Sequence, residues 1–331
     1  MTNQTDATAR LSDLADRYWE ARLEASPLTA TFLGDHRFDD RVDDLSAAGE
    51  ARLAGQWRSF ATEADTIDDD TLDETGRVTV TLLRGELHDA ITVLDLGLAE
   101  LASDQMEGVH ADLLTVAGQL SAPEPDHAEM AVTRLERMGT MLDQALERFR
   151  AGLRAGRTPA RICISRSINQ CDGYLASPLD DDPFAMLKGP EGWAGTDGWR
   201  ERLRVAVEDH LRPAFARYRD ALESELLPHA RSDDSPGLCH LPDGDALYGS
   251  LIRLHTGLDV TAEELHEIGR QEVLEELPAQ YREIGRRQFG TDDLREIFEH
   301  LLNDPDLRYR DGQEILDHAQ QCLDEATAEM G

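Results

Sequence analysis

Three features of this 331-residue chain predict an all-α fold. Apolar residues recur three and four apart along most of the sequence, helix-starting residues stand in front of those runs, and no stretch sustains the alternation of a sheet. The expected architecture is a multi-helix array of mostly antiparallel helices joined by short loops. Leu11, Leu14, Tyr18, Ala21 and Ala25 mark one face of a first helix. Ser26-Pro27 reads as N-cap and first-turn proline of a short helix that stops at Gly34, and Asp35 to Leu45 as a charged loop. Leu53, Trp57 and Phe60 mark the next long helix, which the acidic break Asp68-Asp69-Asp70 ends. From Thr71 to about Glu100, Leu83, Leu87, Ile91 and Leu94 continue the pattern. Val78 to Leu82 alternates like a strand within it, but so briefly that helix is the expectation.

The cleanest stripe follows, in Leu135, Met138, Leu142, Leu146, Phe149 and Leu153, and ends at Gly156. Thr158-Pro159 reads as the start of a helix carrying Ile164, Ile168, Cys171 and Leu175. Ser177 to Gly198 is the longest irregular stretch, so a single domain over 1–331 is expected with a soft seam near 177–198. Leu203, Val207, Leu211, Phe215, Tyr218 and Leu222 predict a long helix kinked near Pro213. Leu241 to Gly269 reads as turn, helix, short turn and a second helix capped by a Thr261–Glu264 capping box. Asp311 with Glu314 predicts a similar cap for the last helix.

Charge narrows the functional classes. Asp and Glu number 67 against 33 Lys and Arg, for a net charge of −34, and Lys188 is the one lysine. Such a surface repels nucleic acid and anionic membranes. Near-complete replacement of Lys by Arg, with acid spread over the whole length, points to a protein adapted to molar salt, where the Debye length is roughly 3 Å. Cys163, Cys171, Cys239 and Cys322 show no Cys-x-x-Cys spacing and read as reduced and buried. With no signal-like N-terminus and no run of about 18 apolar residues, the expectation is a soluble cytoplasmic protein.

The motifs of chemistry are mostly missing. A helical zinc peptidase needs two His four apart with a Glu beside the first. The eleven His of this chain all lie more than ten residues apart, and His266-Glu267 is followed by Arg270 where the second ligand would stand. No nucleophile elbow, P-loop or calcium-loop spacing occurs. No catalytic residue and no metal ligand is therefore assigned. The weak substrate-binding candidates are Arg166, which shares an apolar helix with Arg161, and Tyr248 with His255, two turns apart on one helix face. For the two arginines a structural ion pair is the simpler reading, and for Tyr248 and His255 a polar-end-outward core contact.

Three stretches carry a family resemblance. They are Tyr18-Trp19-Glu20 with Ser26-Pro27-Leu28-Thr29-Ala30-Thr31-Phe32-Leu33-Gly34-Asp35-His36-Arg37-Phe38-Asp39-Asp40-Arg41; Leu241-Pro242-Asp243-Gly244-Asp245 with Tyr248, Leu251 and Arg253 to Thr256; and Val260 to Gly269. In this order they resemble DUF885, a domain-of-unknown-function family of helical proteins regarded as zinc metallopeptidases. The resemblance implies the N-terminal half of a gluzincin-like helical peptidase fold. It places a His-Glu-x-x-Pro-Gly-His signature, and therefore zinc, in a C-terminal half beyond Gly331. No position here matches that signature, so the chain is expected to be inactive alone. Its expected partner is a separate C-terminal polypeptide or a second copy of itself. A non-catalytic helical interaction or structural protein of a halophile is the alternative.

The charge makes a direct prediction. Unscreened carboxylates repel, so the melting temperature followed by circular dichroism rises from low to multimolar potassium chloride. A melting temperature indifferent to salt removes the halophile reading.

Overall fold

The computed structural model describes residues 2–330, with side chains from Asp6 onward. Helix accounts for 75% of it and strand for 1%, so the chain is all-α. It divides into two compact units, one ending at Leu254 and the other beginning at His255.

In the first unit, α1 (Thr2–Ala25), α3 (Ala47–Asp65) and α4 (Glu74–Asp95) bury one apolar cluster around Leu14, Tyr18, Trp57, Phe60, Val80 and Leu87. Tyr18 meets the Trp57 ring edge-on at 5.3 Å, a favoured aromatic arrangement. Ser46 and Asp73 cap α3 and α4 through the amides of Gly49 and Gly76. Val78 to Leu82 lies inside α4, so its brief alternation yields to the longer helical period.

The larger cluster is built on α6 (Pro125–Arg154), the longest helix, with α5 (Val109–Ala117), α7 (Arg161–Ala176), α8 (Thr196–Ala206) and α9 (Arg212–Ala221) packed against it. The predicted stripe is its centre: Leu135, Met138, Leu142, Leu146 and Phe149 are all buried. At Gly139 a Cβ would meet that of Ala214 at 2.8 Å, so the absence of a side chain lets α6 and α9 approach closely.

Proline explains how α8 and α9 join. A helical proline lacks the N–H for the i→i−4 bond and its ring crowds that carbonyl. Just before Pro213 the helix widens into a π turn, Val207–Leu211, and the Arg212 amide reaches back to the Val207 carbonyl. The same device precedes Pro228 at Leu222–Leu226 and Pro278 at Glu272–Glu276. The kink expected near Pro213 is therefore a π turn placed N-terminal to the proline.

Two expected starts differ from the structure. The short helix α2 (Pro27–Phe32) has Pro27 at its first position and exits through Gly34 at φ +84°, but Ser26 turns its hydroxyl to Asp43 instead of capping. Helix α7 begins at Arg161, not at Thr158-Pro159. Residues 158–160 are held extended instead, because the Arg231 amide donates to the Pro159 carbonyl and the Arg161 amide to the Arg231 carbonyl.

The irregular stretch 177–198 lies within the first unit. Phe184 and Leu187 are buried in the larger core, the Ala122 amide bonds the Lys188 carbonyl at 2.8 Å, and buried Asp182 accepts from Arg212 at 2.9 Å. The division falls instead near the end of α10 (Gly244–Thr256). All four cysteines are free; Cys171 is buried, whereas Cys239 and Cys322 are exposed, contrary to the buried reading, because they sit on a surface turn and on a terminal helix without a core of its own.

In the second unit, α11 (Ala262–Gln271) runs through a π turn into α12 (Leu277–Gln288), followed by α13 (Leu294–Asn303) and α14 (Gly312–Met330). The Thr261–Glu264 capping box is present in both directions, and Asp311 accepts from the Glu314 amide at 2.9 Å. Ile297 packs on Gly285, and Tyr281 meets Phe298 edge-on at 5.2 Å.

Candidate functional site

The residues singled out from the sequence stand on exposed surface. Arg161 and Arg166 are exposed on α7, whose buried face is Ile164, Ile168 and Cys171; the buried ion pair expected there does not form among the described residues. Tyr248 is 44% exposed on α10, beside the buried Leu247 and Ile252. His255 is exposed and is the first residue of the other unit. Arg166 and Tyr248 lie on separate elements without a hydrogen bond between them.

The buried arginine is Arg134, on α6 and 3% exposed. Its guanidinium donates to the carbonyls of Arg41 at 3.0 Å and Phe38 at 2.9 Å, to Thr31 Oγ1 at 2.8 Å, and to Asp39 Oδ1 at 3.2 Å. A further bond reaches the Pro27 carbonyl at 3.3 Å. Asp39, 3% exposed, also accepts from Thr31 Oγ1 and meets His36 Nδ1 at 2.7 Å, and the His36 ring stacks on His127 at 4.3 Å. A planar five-donor fork matches such a set of acceptors, and few buried charges survive without one. Its spacing was a usable signal: Arg134 lies four and seven residues before Met138 and Met141 on the apolar face of α6. It ties α2 and the 35–45 loop to α6.

Next to that fastening lies a half-open cavity of about 390 Å³ where the two apolar clusters of the first unit meet. One side is Leu53, Trp57 and Leu94; the other is Val109, Ala145 and Phe149. Ser26, Asp43 and Leu45, flanking the segment Arg134 holds, line it as well. An apolar lining with a few fixed polar groups is the ordinary make-up of a small-molecule site. Among those groups, Arg148 and Glu50 form a partly buried pair at 3.0 Å, with side chains 12% and 21% exposed.

Metal chemistry finds no such setting. Among the described residues, no group of three or more His, Cys, Asp or Glu comes together to hold an ion. At His266-Glu267, the one dipeptide of the zinc-peptidase type, Glu267 is bound by Arg270 at 2.6 Å. A guanidinium occupies the turn where a ligand is required, so these residues do not fit zinc.

The molecule thus defines a class: an all-α protein of two helical units, with a half-open, apolar, carboxylate-bearing cavity in the first. The chain belongs to the DUF885 family, described as "Bacterial protein of unknown function", whose pattern it matches over residues 27–331. No curated protein matches it. A crystal structure described as "the putative lipoprotein from Colwellia psychrerythraea" is similar with a TM-score of 0.81 at 20% identity, covering 98% of this chain and 59% of that one. The chain therefore spans less than two thirds of that relative's length, and the likeness is one of fold. No helix among the described residues is long and apolar enough to cross a membrane.

Asp43 is the electrostatic anomaly of the cavity. Burial pushes its carboxyl above the ordinary carboxylate range, against the opposing pull of the Ser26 hydroxyl, the Leu28 amide and the Arg134 charge. The folded state therefore keeps a proton that the unfolded chain has released, and stability is lost as pH rises through that window. Asp43→Asn removes the cost and retains an acceptor for Ser26. The stability advantage of D43N over the wild type, from urea unfolding, is accordingly absent near pH 3 and grows on going to neutral pH. An advantage that does not change with pH contradicts the assignment.

Proposed function

We propose that this chain is the N-terminal, non-catalytic helical half of a zinc-dependent peptidase-like protein of the DUF885 type. Alone it is inactive. Completion comes from a C-terminal half of the same family or, failing that, from self-association.

The observation that carries this reading is the unpartnered face of the second unit. Among its described residues, Ile297 is the one large apolar side chain buried. Leu274, Leu277, Tyr281, Ile284, Phe298 and Leu302 are exposed, and α14 buries nothing at all. A domain offsets its chain entropy chiefly by apolar burial, and one core side chain is far short of that need. Contiguous apolar surface beyond a few hundred Å² marks an interface. Family membership and the 59% coverage of the solved relative support the view that more of this fold covers that face. The zinc, for which no group of three ligands comes together among the described residues, would belong to that further part.

A second reading, a self-sufficient helical interaction protein of a halophile, is favoured by the first unit, whose core closes without outside help.

Light scattering and elemental analysis of the purified chain separate the two. The first reading predicts self-association, relieved by Leu274→Glu with Ile284→Glu, together with no stoichiometric zinc and no peptide hydrolysis. A clean monomer favours the second reading, and stoichiometric zinc with peptidase activity overturns the non-catalytic assignment altogether.

A further inference from the structure

Most charged groups at the rim of the cavity are already neutralised. Glu50 is held by Arg148, Arg22 by Glu86 and the Tyr18 hydroxyl, and Asp44 by Arg52 and Gln144. Asp43 is the rim carboxylate that has no ion-pair partner among the described residues. Its Oδ2 accepts from Ser26 Oγ at 2.9 Å, the Leu28 amide lies close enough to act on the carboxyl, and Oδ1 is sealed off from bulk water and cavity alike, which leaves Oδ2 as the oxygen toward a ligand. The one nearby buried cation, Arg134, is committed to Asp39, Thr31 and three carbonyls. Asp43 also stands between two apolar spaces: with Ser26, Leu45 and Val109 it lines a second cavity of about 340 Å³ next to the first.

We propose that the cavity binds a small primary amine carried on an apolar body, with Asp43 taking the ammonium and Trp57, Phe149 and Leu53 enclosing the body. The charges select this class. Of the ionisable groups lining the cavity, Asp43, Asp44 and Glu50 outnumber Arg22 and Arg148, and both arginines already have a carboxylate partner although Arg148 keeps one buried N–H unbonded, so an anionic ligand meets a net negative lining. A neutral alcohol gains the apolar burial and one hydrogen bond, but no charge. An ammonium brings three donors and the missing positive charge into a site of low dielectric, where such a pair is strongest. The volume of about 390 Å³ lies in the roughly 300–1,000 Å³ range of small-molecule sites. Because burial holds the Asp43 carboxyl up, an arriving ammonium draws it back down. Amine affinity therefore rises with pH as Asp43 ionises, and binding below that range releases a proton. This assignment is independent of the half-peptidase reading, which stands or falls on the second unit.

Isothermal titration of the full chain in high salt tests it with three probes of one shape: 2-phenylethylamine, 2-phenylethanol and 3-phenylpropanoate. The amine is expected to saturate one site at least tenfold more tightly than the alcohol, and the acid to show no binding. D43N collapses the amine-to-alcohol ratio to near one. Ala102→Leu, which fills the cavity from its edge, abolishes binding of both, with the circular dichroism spectrum confirming the fold. Equal affinity for amine and alcohol, an undiminished ratio in D43N, or no saturable binding by any probe overturns the proposal.

Discussion

Arg134 is the interaction on which the first unit depends. A guanidinium at the apolar interface of α6 is costly to desolvate, and it persists here because each of its three nitrogens finds an oxygen. Those oxygens come from α2 and the loop up to Arg41, a segment that also buries Leu28, Ala30 and Phe38. Ser26, just before it, and Asp43 and Leu45, just after it, reach the cavity wall. Burial lowers the pKa of Arg134, while Asp39, Asp43 and Asp40 raise it. One buried cation thus organises a cluster of carboxylates that would otherwise repel. Asp43 lies within its field without a bond from it, which leaves that carboxylate for the cavity.

The all-α class, the α6 stripe and the caps at Thr261 and Asp311 were legible because each rests on local periodicity or on a bond between near neighbours. The π turns were half legible: Pro213, Pro228 and Pro278 signal a disturbance, and the structure shows it displaced to the preceding turn. The start of α7 differs from the sequence expectation because Pro159 and Arg231 pair across 72 positions of sequence, a contact with no local trace. The site was the least legible. Arg166, Tyr248 and His255 stand out in the sequence as polar residues at helical spacing, and all three are exposed. Arg134 satisfied the same criterion better, on the strongest stripe in the chain. Asp43 gave no signal at all, since its isolation arises from which neighbours are paired elsewhere.

The two units differ in the same physical terms. The first closes its clusters around Trp57, Phe149, Trp199 and Tyr218. The second has well-made local structure, with a reciprocal capping box, Asp293 capping α13 and an Arg286–Asp292 pair at 3.0 Å, but little core. Caps and exposed ion pairs contribute about 1 kcal/mol or less apiece, so they fix where helices begin without holding helices together. That imbalance, sound helix ends with uncovered faces, is what sets the second unit apart from the first.

Urea unfolding of Arg134→Met at neutral pH is the most direct test of this account. The substitution preserves apolar bulk on α6 but leaves Asp39 and three carbonyls without their donor. Breaking one side of a buried pair costs about 3–5 kcal/mol, and a stability loss of that size in the first unit is the predicted result. A loss below about 1 kcal/mol, within the range of an exposed pair, would mean that α2 and the cavity wall are held by something else.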